Sequence, residues 1–222
     1  MIIAERKPIN EIMDMVKDAK RILVLGCRGC VTICSAGGER EVEILASLIR
    51  LGKQKAGQEV STIEATLVRQ CDKEYIDSMD QWDSQYDAIV SMACGVGVNF
   101  IANLRPMAKV YPGVNTSSFG GSAEQGVWSE QCAGCGDCVL HLTGGLCPVA
   151  RCAKSLMNGP CGGSVGGRCE IHKDVPCIWQ SIHDKLVRID SKEGLAAIAP
   201  IRDWSTAGHG GPRKTVRNDL TV

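Results

Sequence analysis

Thirteen cysteines carry most of the chemistry available to this 222-residue chain, and their spacing divides them into two groups. Cys27, Cys30 and Cys34 form a C-x2-C-x3-C run, with Cys71 and Cys94 standing alone further on. Cys132, Cys135, Cys138, Cys147, Cys152, Cys161, Cys169 and Cys177 then follow closely, and no cysteine comes after them. The count is odd, the spacings are short, and a chain of this length buries a core without covalent staples. All three argue against a disulfide framework and for metal or cluster ligation.

The spacings favour iron over zinc most clearly in the second group. Structural zinc usually shows paired C-x2-C knuckles, four thiolates to an ion. Cys132-x2-Cys135-x2-Cys138 is instead a ferredoxin-like triplet, in which three thiolates on one loop cap a cubane and a distant cysteine, often followed by proline, completes it. Cys147-Pro148 is such a pair, but its gap from Cys138 is longer than usual. The fourth ligand therefore stays open: Cys147 completes the triplet, or it joins Cys152, Cys161, Cys169 or Cys177 in another site. The neighbouring glycines, among them Gly134, Gly136 and Gly144-Gly145, bring backbone N–H groups close to sulfur or simply make tight turns. At Cys27, Cys30 and Cys34 zinc and redox chemistry compete with a cluster. Four thiolates suffice for one site, so one of the five early cysteines is spare. Cys71 is the weakest candidate ligand, its plain reading being a buried free thiol.

Other chemistry is thin. Gly95-x-Gly97 suggests a dinucleotide turn, but position 100 is Phe and the glycine pattern fails, leaving a helix start. His141, His172, His183 and His209 are lone histidines that read as surface or hydrogen-bonded residues, with His172, between Cys169 and Cys177, placed to tune or bind a cluster. Trp179 reads as a packing residue. No Ser-His-Asp or paired-carboxylate arrangement is legible.

The elements that must position these thiols follow from periodicity. Ile9, Ile12, Met13 and Val16 recur at helical spacing, and Arg21 to Gly26 is a buried strand with Cys27 at its carboxyl end. Residues 39–53 predict a helix with Val42, Leu45, Ala46 and Ile49 on one face. Strands are predicted over 59–68 and 86–94, a short helix and loop over 72–85, a helix from Gly95 to about Leu104, and a short strand over 109–113. This alternation predicts an α/β fold, a small Rossmann-like parallel sheet with helical crossovers, whose functional crevice lies beyond the carboxyl ends of the strands. All five early cysteines fall there. The Gly/Ser-rich stretch from Asn115 to Gly126 marks a domain boundary. The expected organisation is an α/β domain over 1–115, an irregular, cluster-organised cysteine-rich module over 127–180, and a helix end with an extended tail over 181–222. Ile178, Ile182 and Leu186 mark the last helix. The tail from Trp204 is a candidate segment for ordering on a partner.

Composition limits the function classes. Twenty-five basic residues balance twenty-five acidic ones, so no basic face for nucleic acid is evident. The longest apolar runs are too short to span a bilayer, and the N-terminal MIIAERKPINE lacks the pattern of a signal peptide. A cytoplasmic protein is expected.

Taken in order, GCRGCVTICSAGGEREVE, RQCD, SMACGVGV, CAGCGDCVLHLTGGLCPVARCAKSLMNGPCGG and GRCEIHKDVPCIW resemble the MetV-type small subunits of the two-subunit methylenetetrahydrofolate reductases of acetogenic bacteria, from about Ile22 to Trp179. They share a domain labelled methylenetetrahydrofolate reductase C-terminal. The resemblance implies an electron-transfer role in one-carbon metabolism. The small subunit's iron–sulfur clusters feed the FMN of a TIM-barrel large subunit, which reduces methylenetetrahydrofolate to methyltetrahydrofolate, in a heterodimer or larger complex. It implies ferredoxin or another iron–sulfur subunit as donor. It further implies one cluster on Cys27, Cys30, Cys34 and Cys94, with Cys71 a possible substitute, and more thiolates in the second group. At least two [4Fe-4S] clusters are expected, and three are the ceiling that thirteen cysteines allow. The alternative is a zinc-binding assembly subunit of the same complex with no redox role.

Overall fold

The computed structural model describes residues 1–219, and the side chain of His209 lies outside what is described. In chain order the regular elements are β1 (Ile2–Arg6), α1 (Ile9–Met15), β2 (Arg21–Cys27), α2 (Cys30–Ile33), α3 (Glu39–Lys55), β3 (Ser61–Leu67), α4 (Lys73–Asp77), β4 (Ala88–Ser91), α5 (Gly95–Leu104), β5 (Val110–Pro112), β6 (Val114–Glu124), β7 (Val127–Cys132), α6 (Pro148–Arg151) and α7 (Ile178–Arg188). The chain divides into two compact units, Met1–Ser129 and Glu130–Val222.

The first unit is the expected α/β sheet. β2 pairs in parallel with β3 on one side and β4 on the other, and β5 extends the sheet in the order β3-β2-β4-β5. A central parallel strand is covered on both faces and so reads as an unbroken apolar run. Ile22 and Val24 of β2 pack with Ile12, Val16, Val42, Ala46 and Ile49 on one face. Leu23 and Leu25 pack with Ile76, Met79, Ile89 and Ile101 on the other. The face predicted for α3 is the one it buries. Its first turn carries Glu39 and Glu41 and its last turn Lys53 and Lys55, each sign opposing the helix dipole.

The Gly/Ser-rich stretch at the expected boundary forms a strand: β6 occupies Val114–Glu124 and lies between β1 and β7 in a second, three-stranded sheet. β1 pairs antiparallel with β6 from Ile2↔Phe119 to Arg6↔Val114. Most of β6 is exposed. A strand with one wet face needs few apolar residues, and Ser, Thr, Asn and Gly then imitate a loop.

The second unit has little regular structure. Its apolar core is the face of α7, where Ile178, Trp179, Ile182 and Leu186 pack with Leu146, Cys152 and Cys177. Trp179 is buried, and its Nε1 donates to the Leu156 carbonyl at 3.0 Å. Among the described residues no helix is long and apolar enough to cross a membrane.

Candidate metal centre

In the first unit the cysteines sit where the parallel sheet ends. Cys27 is the last residue of β2, Cys30 opens α2, Cys71 follows β3, and Cys94 caps the N-terminus of α5 beyond β4. Desolvation pushes the Cys71 thiol above its ordinary value, and the neighbouring thiols of Cys27, Cys94 and Cys30 push it further in the same direction. These four therefore share one electrostatic neighbourhood. A thiol that resists becoming an anion, as Cys71 does, gains most when a cationic centre takes up its charge.

Cys34 is differently placed. It caps α2, is buried, and its Sγ donates to the carbonyls of Ala4 on β1 and Val31, both at 3.6 Å. The reading of Cys71 as a buried thiol is corrected: Cys71 is exposed, and Cys34 is the buried member of the pair. The difference arises because β1 lies over α2 and supplies a carbonyl that engages the Cys34 sulfur.

Gln70 holds the Cys71 loop in place. It is fully buried, its Nε2 donates to the carbonyls of Leu25 at 2.9 Å and Gly26 at 2.8 Å, and its Oε1 accepts the Ser91 hydroxyl. One amide thus ties the loop after β3 to the carboxyl ends of both β2 and β4. A Cβ on Gly97 would stand 2.8 Å from the Gln70 Cβ, so only glycine lets α5 begin this close to the loop. Sequence reasoning missed Gln70. The signal was a single amide in RQCD, where a polar residue before a cysteine gives no hint of burial.

The second unit presents two further thiol sets. The triplet follows β7 on a loop in which Gly134 N donates to Cys132 Sγ at 3.3 Å. Gly136 has φ +81°, and a Cβ there would meet the Thr206 carbonyl at 2.3 Å. Three residues from the C-terminal segment fasten this loop. Arg202 Nη2 donates to Cys135 Sγ at 3.0 Å and to the Asp137 carbonyl, Thr206 Oγ1 donates to the Cys135 carbonyl at 2.9 Å, and Arg213 Nη1 reaches the Gly134 carbonyl at 3.5 Å. Cys147 caps α6, and its Sγ accepts from Ala150 N at 3.4 Å.

The third set shares a cavity. Cys152, Cys161, Cys169 and Cys177 line a space of about 20 Å³ together with Lys154, Glu170 and Trp179. Backbone N–H groups of His172 and Ile171 hold the Cys169 thiol below its ordinary value. Cys161 Sγ donates to Glu170 Oε2 at 3.2 Å, and the Lys154 ammonium beside Glu170 holds that carboxyl below the usual range. His141, His172 and His183 are exposed, and His183 contacts Asp184.

Among the described residues no three Cys, His, Asp or Glu side chains stand arranged around a single ion position. The donor chemistry nonetheless suits soft metal centres: sets of four sulfurs select zinc or iron–sulfur clusters. The triplet loop adds one backbone N–H, that of Gly134, aimed at the Cys132 sulfur, the kind of bond that stabilises a cluster.

Residues 111–205 match a family of known proteins, described as methylene-tetrahydrofolate reductase C terminal. The matched segment runs from β5 to Ser205, contains all eight cysteines of the second group, and includes Arg202. It leaves the five early cysteines outside. No curated protein and no solved structure matches the chain. The segment is thus similar to the C-terminal domain of methylenetetrahydrofolate reductases.

Proposed function

We propose that this chain is the electron-transfer subunit of a methylenetetrahydrofolate reductase, carrying [4Fe-4S] clusters that deliver electrons to the flavin of a catalytic partner. The observation behind this reading is that the segment similar to the reductase family holds eight closely spaced cysteines and no legible acid–base constellation. Clusters supply one-electron transfer, and a flavin converts single electrons into the two-electron reduction of a carbon substrate.

The chain's own residues would divide the work as follows. Cys27, Cys30, Cys71 and Cys94 hold one cluster at the carboxyl edge of the sheet, and Gln70 fixes the loop that brings Cys71 to the others. Cys132, Cys135 and Cys138 hold a second, with Cys147 as fourth ligand because the remaining four thiols already share a cavity. Cys152, Cys161, Cys169 and Cys177 form the third set. Cys34 is spare. Three sets of four and one spare thiol account for all thirteen cysteines.

A second reading applies to the third set alone. Its four thiols line one small cavity but do not stand around a single ion position, so the set would have to close on an ion as it binds. A zinc ion on Cys152, Cys161, Cys169 and Cys177 would staple the unit around α7 while the other two sets carry the electrons.

The test is kinetic. The anaerobically prepared chain, reduced in advance, is mixed with the oxidised flavin subunit of a methylenetetrahydrofolate reductase, and flavin absorbance is followed by stopped flow. Flavin bleaching that requires the chain, and disappears in Cys132→Ser and Cys71→Ser, is expected. Flavin reduction at the same rate without the chain would overturn the proposal.

A further inference from the structure

Arg202 lies beyond the last helix, 67 positions after Cys135, in a stretch with no helix or strand, yet its guanidinium reaches that cysteine. Nη2 donates to Cys135 Sγ at 3.0 Å and to the Asp137 carbonyl, and the group stacks on Trp204 with 4.9 Å to the ring centroid. Its other two nitrogens, Nε and Nη1, are buried and have no hydrogen-bond partner among the described residues. A guanidinium has five N–H donors, and leaving charged donors buried and unmatched is costly, so a site that keeps them there is short of an acceptor. Of the two acceptors already engaged, the Asp137 carbonyl and a cysteine sulfur of the triplet, the sulfur lies where a cluster ligand would, and it points to the kind of acceptor that would complete the site. A soft anion adjoining Cys135, such as the sulfides of an iron–sulfur cluster, would supply it. Thr206 and Arg213 fasten the same segment to Gly134 and Cys135, so Arg202 is delivered to this place by a strap with several bonds.

We propose that Arg202 sets the reduction potential of the cluster held by Cys132, Cys135 and Cys138, donating through Nη2 to Cys135 and through Nε and Nη1 to the cluster's own sulfides. This rests on the reading that the triplet holds an iron–sulfur cluster. Reduction adds one electron to the cluster, and no bond is made or broken. A fixed positive charge and N–H donors at sulfur stabilise the more negative, reduced state, so Arg202 raises the potential. Arg202 is a tuning residue that leaves ligation to the cysteines.

The test uses the full chain, purified anaerobically, as wild type, Arg202→Gln, Arg202→Lys, Thr206→Val and Cys135→Ser. Iron and acid-labile sulfide are assayed, and each cluster's midpoint potential is read by EPR during titration with dithionite. Arg202→Gln is expected to keep its iron and to lower one potential only. Arg202→Lys keeps the charge with fewer, differently placed donors and should fall between. Thr206→Val loosens the strap without touching the charge and should leave the potential near wild type. If Arg202→Gln loses the cluster or does not fold, the potential of Arg202→Lys decides. A lysine variant with unchanged potential and full iron overturns the proposal, and so does a glutamine variant with every potential unmoved. Cys135→Ser separates the two claims, because unaltered iron and sulfide in that variant would show that the triplet holds no cluster.

Discussion

Ser91 donates its hydroxyl to Gln70 Oε1 at 2.6 Å, and both residues are fully buried at the carboxyl edge of the parallel sheet. The same Gln70 side chain donates to two carbonyls at the end of β2. Both ends of the amide are therefore engaged, which ties the loop carrying Cys71 to the strand ends that carry Cys27 and Cys94.

Replacing Gln70 with Ala should thus have two consequences. It leaves the buried Ser91 hydroxyl without its acceptor and takes one donor from each of the Leu25 and Gly26 carbonyls, the first of which keeps Met92 N at 2.8 Å, so a loss of about 2 kcal/mol is expected at roughly 1–3 kcal/mol per unmatched buried group. Chemical denaturation of the chain measures it. The metal bound by the Cys71 set should fall in parallel, whereas a variant with unchanged stability and unchanged metal content would show that the amide does not position the loop.

The two ambiguous early cysteines should separate cleanly. Cys71→Ser is expected to lose about four irons per chain, one cubane's worth, while Cys34→Ala keeps its iron. The cost of Cys34→Ala is only that of a small core truncation, about 1 kcal/mol. Iron analysis of the two variants, side by side, decides, and the reverse pattern would return Cys34 to the ligand set.

The four thiols around the small cavity should behave as one unit. Single substitutions of Cys152, Cys161, Cys169 or Cys177 by Ser should each remove the same metal, and pairs of substitutions should remove no more than singles, since residues that share one centre are strongly non-additive. Metal analysis by mass spectrometry gives both its amount and its identity, iron or zinc. Four different losses would break the set apart.

Metal-free protein offers a pH test. The thiolate is the reactive form, Cys169 is held below its ordinary value by backbone N–H groups, and Cys71 is pushed above it by desolvation and its thiol neighbours. As pH rises, alkylation by iodoacetamide should reach half its maximal rate at Cys169 first and at Cys71 later. Peptide mapping of the alkylated chain follows each site, and coincident profiles would contradict the two environments described.

The parallel sheet was legible in the sequence because Ile22 to Leu25 form an unbroken apolar run, and a strand covered on both faces buries every residue of such a run. The face of α7 was legible because Ile178, Ile182 and Leu186 recur at four-residue spacing. The second sheet was not, because β6 is largely exposed and composed like a loop. Missing β1 and β6 had a cost at the site. Cys34 lies one helical turn from Cys30 and reads as its natural companion, but the carbonyl of Ala4, on β1, engages its sulfur. Arg202 was illegible for a similar reason, since nothing local distinguishes an arginine 67 positions from the cysteine it contacts.

The central claim, that these thiols hold redox clusters, is tested most directly by assaying iron and acid-labile sulfide in the anaerobically purified full chain while recording its visible absorbance and EPR spectrum before and after dithionite. The account predicts a brown protein with about eight to twelve irons, matched by sulfide, that bleaches on reduction and then shows cluster EPR signals. A colourless chain loaded with zinc, silent under dithionite, would contradict it.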